Sequence, residues 1–140
     1  MQLSRKAEYA LHALMYVASV NGHHHASINE IARSAKIPRE YLAKVLKGLT
    51  NAGFLFSLRG VNGGYRLAKA KEKISFLDIL EATQGPFMIS RCPDKNHCPD
   101  YQFWDEITKN LKKILGDMNL GKIDYEKFSR RSKKQTSTLR

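Results

Sequence analysis

Cysteine is scarce in this chain: the 140 residues hold two. A small secreted scaffold built on disulfides needs more cross-links than one pair can supply, so that class is excluded. Long apolar runs are also missing. None approaches the roughly 18 residues of a membrane span, and the opening Met1-Gln2-Leu3-Ser4-Arg5-Lys6 carries no apolar leader core. A cytoplasmic setting with no membrane partner is expected. Acidic residues are few as well, 13 against 24 Lys plus Arg, which leaves a formal charge of +11. Such a surface calls for a polyanion, either nucleic acid or an acidic membrane face. No nucleophile–base pair, cofactor fingerprint or carboxylate pair can be assembled, which disfavours an enzyme.

The charge is unevenly placed. Residues 1–72 carry 11 basic and 4 acidic residues, residues 73–120 carry 6 and 7, and residues 121–140 carry 7 and 2. Basicity therefore belongs to the N-terminal half and to the tail. The length suits one domain.

Leu3, Ala7, Ala10, Leu11, Leu14, Val17 and Ala18 recur at helical spacing, which predicts an amphipathic helix over 3–20, ended by Asn21-Gly22. His23-His24-His25 reads as an exposed polar loop. Ser27-Ile28-Asn29-Glu30 has the form of a capping box and opens a short helix with Ile28, Ile31 and Ala32 inside. Ser34 to Ile37 is a tight connection, and Pro38 suits the first turn of a third helix. That helix buries Leu42, Val45, Leu46 and Leu49. Two strand-like runs, Phe54–Arg59 and Tyr65–Leu67, flank Gly60-Val61-Asn62-Gly63-Gly64, a hairpin signal. A short helix capped by Ser75 follows. Residues 84–99 hold three of the four prolines and both cysteines, and read as a loop. A further helix starts at Asp100.

This order gives a fold that is mainly α with a small β wing: a winged helix-turn-helix followed by a long dimerisation helix. The expected organisation is a DNA-binding domain at 1–83, a sensor loop at 84–99, a dimerisation helix at 100–120 and an unstructured basic tail at 121–140. Double-stranded DNA is the expected partner. Ser27 at the head of the second helix, and Arg39, Glu40, Tyr41, Lys44 and Lys47 on the third, supply phosphate and base-edge contacts. In the wing, Arg59, Gly60, Gly63, Gly64, Tyr65 and Arg66 suit a narrow groove, where glycine lets backbone approach and arginine meets negative potential. Lys36 stands where such turns often use glycine, and is expected to adopt a strained left-handed conformation. Trp104, Ile107, Leu111, Ile114 and Met118 follow a 3-4-3-4 spacing, a seam for a homodimer.

The chain resembles the Rrf-type winged-helix regulators over about residues 1–120. The resemblance rests on Met1-x-Leu3-Ser4-x-Lys6-x-Glu8-Tyr9-Ala10-Leu11, Ile31-Ala32, Ile37-Pro38-x-x-Tyr41-Leu42, Leu58-Arg59-Gly60-x-x-Gly63-Gly64-Tyr65 and Cys92-x5-Cys98. It implies a dimeric transcription regulator acting at palindromic operators. Family members that bind iron–sulfur clusters use three loop cysteines and a fourth ligand. Here Cys98 is followed by Pro99-Asp100-Tyr101, with no third cysteine. One branch of the family combines two cysteines of one subunit with a glutamate and a histidine near the partner's N-terminus. Carried over, that pattern implies a 2Fe–2S cluster on Cys92, Cys98, Glu8 and His12, with His97 as a rival ligand. The function implied is sensing of redox, iron or nitric-oxide status. The alternative is a regulator without a cluster, controlled by thiol oxidation or protein contacts.

Overall fold

The computed structural model describes residues 2–90 and 95–127. Helix α1 spans Arg5–Val20. It starts two residues later than the periodicity predicts because Ser4 is its N-cap, the hydroxyl accepting the Ala7 N–H at 3.1 Å. Ala7, Ala10 and Ala13 are buried on one face beside Leu14 and Val17. Small side chains there let α1 sit at the centre, against the second, third and fourth helices and the wing.

Helices α2 (Ile28–Ala35) and α3 (Arg39–Asn51) form the helix-turn-helix. Lys36 between them is left-handed, at φ 55° and ψ 46°, as anticipated. A non-glycine residue in that region costs about 1–2 kcal/mol. Burial of Ile37 against the core holds the turn in place. Pro38 sits one position earlier than expected, as the N-cap of α3. Only half of the capping box at α2 forms: the Ser27 hydroxyl accepts the Glu30 N–H at 3.1 Å. The Glu30 carboxylate turns instead to the Tyr16 hydroxyl at 3.1 Å and to His24 Nε2 at 2.8 Å. A complete box forms at α4 (Phe76–Gln84), between Ser75 and Asp78.

The wing is an antiparallel hairpin of β1 (Leu55–Leu58) and β2 (Gly64–Leu67), with Leu55 opposite Leu67 and Leu58 opposite Gly64. Ala26 adds a bridge on the other side of β2, its N–H and C=O pairing with Tyr65 at 2.9 and 2.8 Å. Gly64 makes this approach possible: its φ is +154°, and a Cβ there would stand 2.5 Å from the Ala26 carbonyl oxygen.

Helix α5 (Tyr101–Asp117) buries none of its residues. The chain then returns. The Phe76 N–H donates to the Met118 carbonyl at 2.8 Å, and the Leu120 N–H to the Ile74 carbonyl at 3.0 Å. Leu120 is fully buried in the main core with Leu14, Ile31 and Leu46. Ile123 and Tyr125 pack against that core, and the Tyr125 hydroxyl donates to the Leu120 carbonyl at 2.6 Å. Two expected boundaries are corrected by this return. The N-terminal domain does not close at residue 83, and the tail does not lose structure at 121, because apolar side chains beyond α5 complete the core. Residues 129–140 lie outside the described residues.

Candidate nucleic-acid interface

Helix α3 divides its side chains sharply. Leu42, Val45, Leu46 and Leu49 are buried, while Arg39, Glu40, Tyr41, Lys44 and Lys47 are exposed. Among the described residues the ion pairs are His24–Glu30 and Asp105–Lys109, so no described carboxylate neutralises Arg39, Lys44, Lys47, Arg59 or Arg66. Unpaired cations on one helix face and on an adjacent hairpin suit a surface of closely spaced phosphates. Ser27 is half-buried as the α2 cap, and its hydroxyl proton remains available as a donor.

Tyr41 has a second engagement. Its ring meets that of Tyr9 on α1 edge to face, with centroids 5.3 Å apart and planes at 78°. The exposed face of α3 is thereby packed onto the helix that carries Glu8 and His12.

At the wing, Arg59 and Gly60 lie exposed at the tip, and Val61 is wholly exposed. The Gly63 N–H donates to the Gly60 carbonyl at 3.0 Å, closing the tip, and a Cβ on Gly63 would collide with the Leu58 carbonyl. Tyr65 is half-buried against the core, so its part is to anchor the wing. Arg66 stands cross-strand from Phe56, with its guanidinium 5.1 Å from the ring centroid. Sequence reasoning missed Val61 and the Ala26 bridge. A valine inside a glycine-rich tip was a usable signal, whereas a one-residue bridge leaves none.

Of the four residues implied as cluster ligands, Glu8, His12 and Cys98 are among the described residues, and they form no group placed to hold a metal ion. Glu8 and His12 are exposed on α1, one turn apart. The Ser4 N–H donates to Gln84 Oε1 at 3.0 Å, so the 84–99 loop leaves α4 beside the start of α1. Cys98 is half-buried and disulfide-bonded; the one other cysteine, Cys92, lies outside the described residues. His97 is exposed. No three His, Cys, Asp or Glu side chains among the described residues are placed to hold a metal ion.

The 3-4-3-4 stripe on α5 lies largely open. Trp104, Ile107, Ile114 and Met118 are 38–58% exposed, and Leu111 is half-buried. Among the described residues, α4 is the element packed extensively against this helix.

Comparison with known proteins agrees with this geometry. A family model described as "Iron-dependent Transcriptional regulator", Rrf2, matches residues 3–124. The HTH-type transcriptional regulator NsrR of Bacillus licheniformis is 35% identical over 100 residues, 70% of each chain. Among solved structures, CymR, the global cysteine regulator of B. subtilis, superposes with a TM-score of 0.79 at 26% identity, covering 86% of this chain and 94% of that one. IscR of T. potens gives 0.74 at 25% identity, covering 86% and 84%. With its exposed recognition helix and wing, the chain belongs to the Rrf2 family, as a winged-helix DNA-binding transcription regulator and not an enzyme.

Proposed function

We propose that two copies of the chain pair through α5 and read a palindromic operator, with α3 in the major groove and the wing tip against the minor groove. The observation that carries this reading is the unpaired basic face of α3 beside an exposed wing. Arg39, Lys44 and Lys47 contact phosphates, Glu40 and Tyr41 face base edges, and Arg59 enters the narrow groove past Gly60, Gly63 and Gly64. The exposed stripe of Trp104, Ile107, Ile114 and Met118 supports pairing, because a lone amphipathic helix has to bury its apolar side. Arg59→Ala and Lys44→Ala are expected to weaken duplex binding. Each reduces the slope of log affinity against log salt by about 0.9 for every phosphate it leaves unneutralised. An unchanged slope in both variants contradicts the assignment.

The 84–99 loop is the sensor in this reading, and its state is carried by thiols. The supporting observation is the disulfide at Cys98. Two thiols give up two protons and two electrons to a peroxide or to a disulfide partner, forming the bond; a dithiol reductant reverses it. The nearby tie between Ser4 and Gln84 gives the loop a route to α1, and Tyr9 on Tyr41 gives α1 a route to the recognition face.

A second reading is favoured by the iron dependence in the family's description. Cys92 and Cys98, with Glu8 and His12 of the partner subunit, would then hold a 2Fe–2S cluster. Such a cluster supplies a one-electron change of charge when bound. A disulfide-bonded Cys98 cannot ligate iron, so this donor set fits only after reduction. Protein purified without oxygen separates the readings. A colourless protein whose two cysteines alkylate only after reductant supports the thiol switch. A brown protein that loses its colour in Glu8→Ala/His12→Ala supports the cluster.

A further inference from the structure

Beside the wing lies a cleft of about 830 Å³, bounded by the His23-His24-His25 loop, the start of α2 and the wing tip. The antiparallel bridge between Ala26 and Tyr65 sets its geometry. One residue either side of that bridge, His25 falls level with Arg66, and both line the cleft. His25 Nδ1 stands 3.3 Å from the Asn62 carbonyl oxygen, so the loop reaches across to the tip.

The charge of this cleft is one-sided. Among the described residues that line it, the one carboxylate is Glu30, already engaged by His24 and the Tyr16 hydroxyl. Arg66 has no carboxylate partner among the described residues. What remains is one guanidinium and two imidazoles, His23 and His25. The other titratable or charged groups lining the cleft are His24 beside them, Glu30 on α2 and Arg66 on β2.

We propose that this cleft is a phosphate site, taking a backbone phosphate of duplex DNA beside the wing, with Arg66 and the protonated His23 and His25 as its cations. The occupant follows from position. The cleft is shared by the head of α2 and the wing tip, and the tip lies against the minor groove in the reading above, on which this inference rests. A strand backbone crosses its mouth whenever the tip enters the minor groove. Histidine acquires its charge as pH falls through the range from about 8 to 5. Affinity for duplex, independent of sequence, should therefore rise on mild acidification, beyond what the fixed charges of α3 give.

The test uses the full-length protein and a mixed-sequence duplex of about 30 base pairs, long enough to extend past two major-groove contacts roughly 34–36 Å apart. Salt dependence is measured at pH 5.5 and pH 8.0 for the wild type, for His23→Gln/His25→Gln and for Arg66→Gln. At pH 5.5 the histidine variant should show a log–log slope smaller by about 1–2, the equivalent of one or two phosphates. The gap should close at pH 8.0, and Arg66→Gln should lower the slope at both values. In parallel, the His23 and His25 ring resonances should move on adding duplex, and also on replacing chloride with inorganic phosphate at equal ionic strength. A histidine variant with the wild-type slope at pH 5.5 overturns the proposal, as do ring resonances that answer to inorganic phosphate but not to duplex. Failure of the wild type to bind duplex at either pH overturns the underlying interface reading instead.

Discussion

Truncating Leu120 to alanine removes a fully buried side chain from the point where the chain rejoins the core after α5. Leu120 lies in one cluster with residues of α1, α2, α3 and the wing, so its cavity opens in the DNA-binding domain itself. Neighbours from several elements cannot all collapse onto the space, and the Leu120 backbone is fixed by its bond to Ile74 at 3.0 Å. Deleting a buried leucine to alanine costs about 2–5 kcal/mol, transfer and cavity together. With a urea m-value of about 2 kcal/mol per molar, the midpoint should drop by about 1–2.5 M at unchanged m. Circular dichroism during urea titration reads this directly. Leu3→Ala, at a side chain 46% exposed, is the control; it should change stability by less than about 0.5 kcal/mol. If Leu120→Ala behaves like the control, residues 118–125 do not complete the core and the domain closes before α5.

Lys36→Gly relieves a left-handed lysine, and should raise stability by about 1 kcal/mol in the same titration, with duplex affinity retained; a loss would mean that the turn is not strained. Leu111→Asp places a carboxylate in the proposed α5 seam, a desolvation cost of several kcal/mol if buried, so light scattering should give a monomer where the wild type gives a dimer. Glu30 carries a pH signature. Desolvation pushes its carboxyl up, but hydrogen bonds from His24 and Tyr16, aided by the charge of His24, outweigh this and hold it below the usual range. A depressed carboxyl stabilises the fold above its unfolded titration, near pH 4.5, and the gain is lost as pH falls through the folded value. Glu30→Gln should therefore flatten part of the acid limb of the stability profile, and an identical limb refutes the network. Tyr125 works at the other end. Burial, aided by the charge of Glu72, pushes its hydroxyl up to about 12 from 10.0, so stability should fall between those pH values. Tyr125→Phe should abolish that fall.

The helix-turn-helix was legible because its signals are local. Ser27 announces a cap, the spacing of Leu42, Val45, Leu46 and Leu49 fixes which face of α3 turns inward, and the glycines at 60, 63 and 64 mark a tip. The left-handed Lys36 follows from the absence of glycine in a tight turn. Non-local events were not legible. The Glu30 carboxylate could cap its own helix or reach Tyr16 and His24, and only the fold brings the second pair within reach. The Ala26 bridge joins residues far apart in sequence through a single pair, with no alternation to betray it. The return after α5 was hidden by composition: Leu120, Ile123 and Tyr125 are interleaved with Lys122, Asp124, Glu126 and Lys127, so the segment reads as polar although its few apolar residues point inward. In the 84–99 loop, the cysteine pair was visible, but spacing alone does not distinguish metal ligands from a disulfide.

A dimer that reads two half-sites through α3 and the wing selects its own operator. The most direct test is selection of bound duplexes from a random pool by the purified protein, followed by sequencing. The enriched sequence should be an inverted repeat with half-site centres one helical turn apart or a multiple of it, about 10–10.5 base pairs per turn. Arg39→Ala should lose the preference at specific positions within both half-sites. Enrichment of a single unrepeated site, or of no sequence at all, would contradict a dimeric reader.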